Sequence, residues 1–259
     1  MSVTSLPTVS HRCVRVWQRN SDVFLRLWKT ELALVLAEPL VVLLAMGYGL
    51  GSLVRPDDPR KYLEFLGPGI LAAYAMYAAV FECTWGTYVR MNIQKTFDAI
   101  IVTPVSLDDV ITGEVLWGAT RAFISSVTIL LALALMGVVT SPLALLAPVA
   151  GVLIGITFAS LSVLVTSFVQ GGTQFNYYFN LFITPMFVAS GTFFPLAQLP
   201  AWVQTVIWPL PLTAGLTVMR GFFQGRVNVE VLLAGLWLVV LAAICFPLAV
   251  MAMRRRLVR

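Results

Sequence analysis

Apolar residues gather into six long runs along the chain, at about residues 32–53, 65–88, 110–139, 143–169, 175–196 and 229–253. A helix needs ~20 such residues to cross a hydrocarbon layer ~30 Å thick, so each run predicts one membrane span. Ahead of the first run, residues 11–30 are amphipathic. Arg12, Arg15, Arg19, Asp22, Arg26 and Lys29 recur every three or four positions, with Cys13, Trp17, Phe24 and Trp28 opposite them. That pattern predicts a helix lying in the membrane surface, which would also serve as a plain cytoplasmic anchor. Between the fifth and sixth runs, residues 200–226 are apolar but interrupted by Pro200, Pro209, Pro211 and several glycines. Short re-entrant or interfacial helices fit this stretch better than a straight span. The expected fold is an all-α integral membrane protein. An arm with its interfacial helix covers 1–31, and a six-helix domain covers 32–253. That domain includes a connector at 90–109 and a re-entrant region at 197–228, and a basic tail at 254–259 follows it.

The connector reads RMNIQKTFDAIIVTPVSLDD. Its polar Arg90, Asn92, Gln94, Lys95 and Asp98 alternate with apolar Phe97, Ile100 and Ile101, which predicts a short amphipathic helix broken before Thr103-Pro104. Ser106 followed by Asp109 predicts a capping box at the start of the third span.

Composition agrees with the pattern. Of the 259 residues, 59% are hydrophobic and only 11% charged, and mean hydropathy is +0.89. A soluble domain carries about a quarter charged residues, so a single membrane domain is expected. The net charge of +5 is distributed as topology requires rather than as a nucleic-acid surface. With the N-terminus inside, Arg12, Arg15, Arg19, Arg26, Lys29, Arg90, Lys95, Arg254, Arg255, Arg256 and Arg259 are cytoplasmic. Arg55, Arg60, Lys61, Arg220 and Arg226 are external, and the imbalance places both termini in the cytoplasm. The first 30 residues hold no uninterrupted apolar stretch, so no secretory signal peptide is expected.

The chemistry is mostly one of absences. None of Lys29, Lys61 and Lys95 follows a glycine, so the chain has no P-loop. His11 is its one histidine, and Cys13, Cys83 and Cys245 are far apart. No His-based triad, metal site or disulfide framework is expected. A membrane-embedded lipid-modifying enzyme is therefore the weaker alternative.

Two sets of residues stand out inside the spans. Tyr74, Tyr77, Phe81, Trp85 and Tyr88 lie on one face of the second span, and the fifth adds Phe175, Tyr178, Phe179 and Phe182. Such faces could stack on sugar rings, or could simply pack or form an interfacial belt. Glu38, Glu82, Glu114 and Arg121 are ionisable residues within apolar runs, and charges there pair or line wet cavities. Glu114 and Arg121 share a face, and Glu82 could pair with Arg121.

Three passages carry a family resemblance. The first is Glu38-Pro39 followed by Met46-Gly47-Tyr48-Gly49-Leu50-Gly51. The second runs from Lys95-Thr96-Phe97-Asp98-Ala99-Ile100 through Thr103-Pro104 to Gly113-Glu114. The third is Ser190-Gly191-Thr192-Phe193-Phe194-Pro195-Leu196 with Leu199-Pro200. In this order they resemble the membrane subunit of a type-2 ABC exporter, most closely the NodJ-like lipo-oligosaccharide exporter permeases. The resemblance implies two permease copies on two separate cytoplasmic ATPase subunits, in a bacterial inner membrane. ATP and Mg would bind the ATPase subunits, with no cofactor in this chain. It implies that the N-terminal helix and the connector, with Arg90, Asn92, Lys95, Phe97 and Asp98, receive the ATPase stroke. Gly191, Phe193, Phe194 and Pro195 would lie near an outer gate, and Tyr74, Tyr77, Phe81, Trp85 and Tyr178 along the path of an amphiphilic, lipid-linked substrate. Related permeases export other cargo, so an exporter of hydrophobic drugs or antibiotics is the alternative.

Overall fold

A computed structural model describes residues 7, 9–54, 59–101 and 103–257. Arg55 and Arg259 lie outside these residues, and the side chain of Asp98 is also outside the description. The helices, in chain order, are α1 (Cys13–Leu44), α2 (Gly51–Val54), α3 (Pro59–Phe81), α4 (Thr96–Ile101), α5 (Leu107–Leu135), α6 (Ala147–Phe168), α7 (Phe175–Tyr178), α8 (Thr184–Ala189), α9 (Ala201–Ile207), α10 (Pro211–Phe223) and α11 (Val229–Leu257). Among the described residues, five helical runs are long and apolar enough to cross a membrane: 13–53, 60–93, 107–135, 142–168 and 229–257.

Three departures from the expected boundaries matter for function. The basic amphipathic stretch is not a separate helix. It continues without a break into the first span, through α1, a π-helical turn at Ala45–Leu50 and α2. The second span does not end at Tyr88 either; π-helical turns at Glu82–Gly86 and Val89–Ile93 carry it to Ile93. Arg90 and Asn92 therefore sit on a helix, not in a loop. The fifth apolar run is helical only from Phe175 to Ala189, with a π-helical turn at Phe179–Ile183. At ~1.5 Å per residue that is about 22 Å, short of a full crossing. The expected broken pair is present in α9 and α10, which meet at 93°.

Local chemistry accounts for these ends. Ser106 and Asp109 form the capping box that opens α5, and Ser141 accepts from the Leu143 amide ahead of the turn leading into α6. Lys95, in the left-handed region at φ 50°, turns the chain from the second span into α4. A lysine there has no glycine's freedom, so neighbouring packing must hold it.

Helix α6 lies at the centre and packs against α3, α5, α10 and α11, while α1 packs chiefly on α5. Small residues allow the closest of these approaches. A Cβ on Gly155 would stand 2.7 Å from that of Ala122, and one on Gly118 would stand 2.9 Å from that of Ala159. Close backbone approach of this kind drives helix association in lipid, where the hydrophobic effect between helices is absent.

Both ends of the chain converge on the start of α5. The Ser10 amide donates to Asp109 Oδ1 at 2.7 Å, and Arg254 Nε of α11 donates to Asp108 Oδ1 at 2.5 Å. Arg254, expected in a free basic tail, is thus turned inward, as is Arg256, which donates to the Thr166 carbonyl. Convergence at one end of the bundle requires an even number of crossings between them.

Gly155→Val should drive α5 and α6 apart and lower stability by about 1–3 kcal/mol, the usual range for overpacking. Gly171→Val, where a Cβ meets nothing within 4 Å, should leave it unchanged. Thermal unfolding of the detergent-solubilised variants measures both.

Candidate functional site

Six charges, three of each sign, alternate along one path through three helices. Arg19 on α1 lies 3.9 Å from Glu114 on α5. Glu114 is 2.5 Å from Arg90 at the end of the second span, and Arg90 is 2.7 Å from Glu82 about two turns earlier on that span. Glu82 lies 3.5 Å from Arg121 on α5, and Arg121 returns to α1 at Glu31, 2.8 Å away. The path begins and ends on α1. Glu114, 1% exposed, also accepts from Asn20 Nδ2 at 3.2 Å and Thr87 Oγ1 at 2.8 Å. Every carboxylate is thereby matched by a guanidinium. That balance is what a low-dielectric site demands, because an unpaired ion there costs several kcal/mol.

The expected Glu82–Arg121 pair is present within this larger assembly. Arg19, Glu31 and Arg90 are the members that the sequence did not assign to it. Trp17 Nε1 donates to Thr120 Oγ1 at 2.8 Å, Phe24 packs edge-on against Trp117 at 5.8 Å, and the Arg121 guanidinium lies over the Phe24 ring at 5.0 Å. Aromatic and ionic contacts together hold the N-terminal half of α1 to α5 as one unit.

This geometry divides the residues expected to meet an ATPase. Asn92 and Lys95 are exposed. Arg90 instead turns inward to Glu82 and Glu114, and Phe97 is buried at 1% exposure, where it anchors α4 to the bundle. These two side chains face the bundle rather than the surface.

The aromatic stripe mostly packs on itself. Tyr77 lies against Phe187 at 5.5 Å, Phe81 against Phe179 at 5.6 Å, and Trp85 against Phe175 at 5.4 Å. Together they zip the second span to the fifth apolar segment. Tyr178 is buried, its hydroxyl 3.4 Å from Ser162 Oγ, so it does not border an open path. Tyr74 and Tyr77 stay partly open. Tyr74 and Tyr77 both lie within electrostatic reach of Glu38 of α1. Glu38 takes no part in the ion path and is exposed on α1.

At the opposite end, residues 190–195 form a tight turn with Gly191 at φ 90°. Arg220 of α10 donates to the Gly191 carbonyl at 2.6 Å and stacks over Phe65 at 4.1 Å. Tyr62 donates to the Phe193 carbonyl at 3.2 Å, and Phe193 packs on Phe187 at 5.0 Å. Phe194 is half-buried and Pro195 exposed at the rim. Arg220 thus ties the re-entrant pair to this turn and to the second span, a role that its position in an apolar stretch did not reveal.

Comparison with known proteins agrees with this architecture. The family model described as ABC-2 type transporter matches residues 11–223. Nodulation protein J of Rhizobium meliloti is 36% identical over 258 residues, covering 98% of this chain and 97% of the relative. Nodulation protein J of Rhizobium leguminosarum bv. trifolii is 36% identical over 260 residues, covering 100% and 98%. That of Sinorhizobium fredii is 34% identical over 252 residues, covering 97% and 96%. The match takes in the ion path, the aromatic zipper and the Gly191 turn alike, and the chain belongs to the ABC-2 type transporter family as a membrane permease subunit.

Proposed function

We propose that this chain is the membrane half of an ATP-driven exporter that moves an amphiphilic glycolipid or lipo-oligosaccharide out of the cytoplasmic leaflet. In this reading two copies pair above two ATPase subunits in a bacterial inner membrane, with both termini cytoplasmic. ATP and Mg belong to the ATPase subunits, which supply the hydrolysis; this chain has no P-loop to do so.

The ion path is the observation that carries the reading. A push on exposed Asn92 and Lys95 reaches Arg90, two and five residues earlier in the chain. Arg90 holds Glu82 on its own span and Glu114 on α5, and the path then returns to α1 through Arg121 and Glu31. Three of the links, Arg90 to Glu82, Arg90 to Glu114 and Arg121 to Glu31, are close hydrogen-bonded pairs that tie all three helices, so the helices move together rather than shear past one another. A rigid unit of this kind converts a local push at the membrane surface into a tilt of whole spans. The polar head of the cargo must be hidden from hydrocarbon throughout, since unsatisfied polar groups there cost several kcal/mol each. The resemblance of residues 38–51, 95–114 and 190–200 to lipo-oligosaccharide exporter permeases supports the cargo class, as do the partly open rings of Tyr74 and Tyr77.

Mild-detergent capture of the tagged chain from its native membrane should recover a P-loop subunit in roughly equal amount. A chain that comes out alone even after cross-linking would overturn the reading. Replacing Asn92 and Lys95 together with alanine should reduce that recovery severalfold while the permease itself stays folded.

Substitutions along the path should separate stability from coupling. Arg90→Met leaves two carboxylates facing each other and should cost about 3–5 kcal/mol, seen as loss of folded protein. Glu31→Gln, at the outer end of the path with its side chain 33% exposed, should fold and bind its partner. It should move severalfold less cargo per ATP hydrolysed, as measured by paired transport and phosphate-release assays in proteoliposomes.

A further inference from the structure

At the end of the bundle away from the Arg254–Asp108 contact lies a cavity of about 240 Å³. Phe65 of α3, Val138 just beyond α5 and Phe223 of α10 give it apolar walls. Lys61, Glu64 and Thr140 are exposed at its rim. Arg220 of α10 borders it too, and its charge has no match. Arg19, Arg90, Arg121 and Arg254 each face a carboxylate. Among the described residues no carboxylate pairs with Arg220, Glu64 on the same cavity included. The guanidinium is nonetheless held in place, by the Gly191 carbonyl at 2.6 Å and the Phe65 ring at 4.1 Å. Its Nε is buried with no partner in the protein.

A guanidinium fixed in this way calls for an anion. Buried donors are nearly always matched, and a cation beside apolar walls is costly without a counter-charge. Neither a carbonyl nor a ring supplies one. Arginine is the side chain best suited to phosphate oxygens. Place and size narrow the choice further. The cavity sits where the second span begins and the third ends, the level at which phospholipid phosphates border the hydrocarbon layer. Its volume of about 240 Å³ is below the ~300–1,000 Å³ of pockets that enclose a whole drug-sized ligand. It therefore has room for a head and leaves the tails outside. Leu131 and Leu135 lie exposed one turn apart on α5, just before Val138, where an acyl chain can run along them.

We propose that this cavity holds one resident phospholipid through its phosphodiester, as a structural lipid rather than as cargo. A phosphate oxygen accepts from Arg220, and the Thr140 hydroxyl at the rim is placed to donate to another. Glu64 at the rim disfavours heads that carry a second negative charge, phosphomonoesters among them. Arg220 already links α10 to the Gly191 turn and to Phe65 of the second span. The lipid adds the turn after α5 to that junction and neutralises the charge at its centre. The proposal stands apart from the export reading, because a lipid bound in this way serves the fold whatever the chain moves.

The test is native mass spectrometry of the full chain, stripped of lipid by detergent exchange and titrated with single lipids of matched acyl chains. Phosphatidylglycerol and phosphatidylethanolamine should each bind at one copy per chain. They should bind roughly tenfold more tightly than diacylglycerol, the effect expected of one charge-assisted contact, and more tightly than phosphatidic acid. Arg220→Gln should erase the preference over diacylglycerol. Thr140→Trp, an exposed position, should erase it too by filling the mouth. Because it leaves the guanidinium and the core untouched, it keeps the test valid if Arg220→Gln does not fold. Millimolar inorganic phosphate should not displace the lipid. Equal binding of diacylglycerol and the two phospholipids by the unaltered chain would overturn the proposal. So would a preference that survives Thr140→Trp. Displacement by inorganic phosphate, with phosphate itself retained, would show a site for free phosphate and overturn the lipid assignment.

Discussion

Charge neutrality inside a low-dielectric bundle is the constraint on which the rest of this structure depends. Six ionised side chains sit where none could remain alone, and they do so by alternating in sign from Arg19 to Glu31. Removing water from such groups is costly enough that the pairs add little net stability over apolar residues of the same size. What they supply is register. Arg90 reaches Glu82 and Glu114 together only when α3 and α5 stand at one relative height and rotation, and α1 is fixed by both ends of the path. The apolar contacts that fill the remaining core tolerate sliding; the ionic path does not.

The aromatic zipper and the Gly191 turn serve the same division of labour at greater distance. Small residues on α5 and α6 bring those helices close, so the centre of the bundle is rigid. The fifth apolar segment is different. It is short, contains a π-helical turn and is held to the second span largely by ring contacts. Ring contacts are broad and forgiving, whereas ion pairs are narrow. The end that carries the ion path is therefore the stiffer part, and the fifth segment the part with more freedom to shift.

Much of this was legible in the sequence, and the gaps have physical causes. Apolar periodicity gave the spans, the broken pair at α9 and α10, the capping box at Ser106 and the pairing of Glu82 with Arg121. It missed Arg19 and Glu31 because hydropathy drops at Leu32 while the helix does not, so one helix read as two. Arg90 read as a loop residue because the apolar run stops at Tyr88, whereas main-chain hydrogen bonding continues to Ile93. Phe97 was recognised as apolar in a polar setting, but only packing shows that it faces inward. The proposed coupling surface and the proposed cargo rest on family resemblance, not on any periodicity.

The pairing of Arg254 with Asp108 has a consequence for how the molecule is made. The two residues are 146 positions apart, so during synthesis at ~5–20 residues per second Asp108 waits on the order of ten seconds for its partner. Through that interval the start of α5 lacks the guanidinium that α11 brings to it, and α6 lacks the helix that packs along it. The register of α5 against α6 and α11 is thus fixed only after α11 has been made.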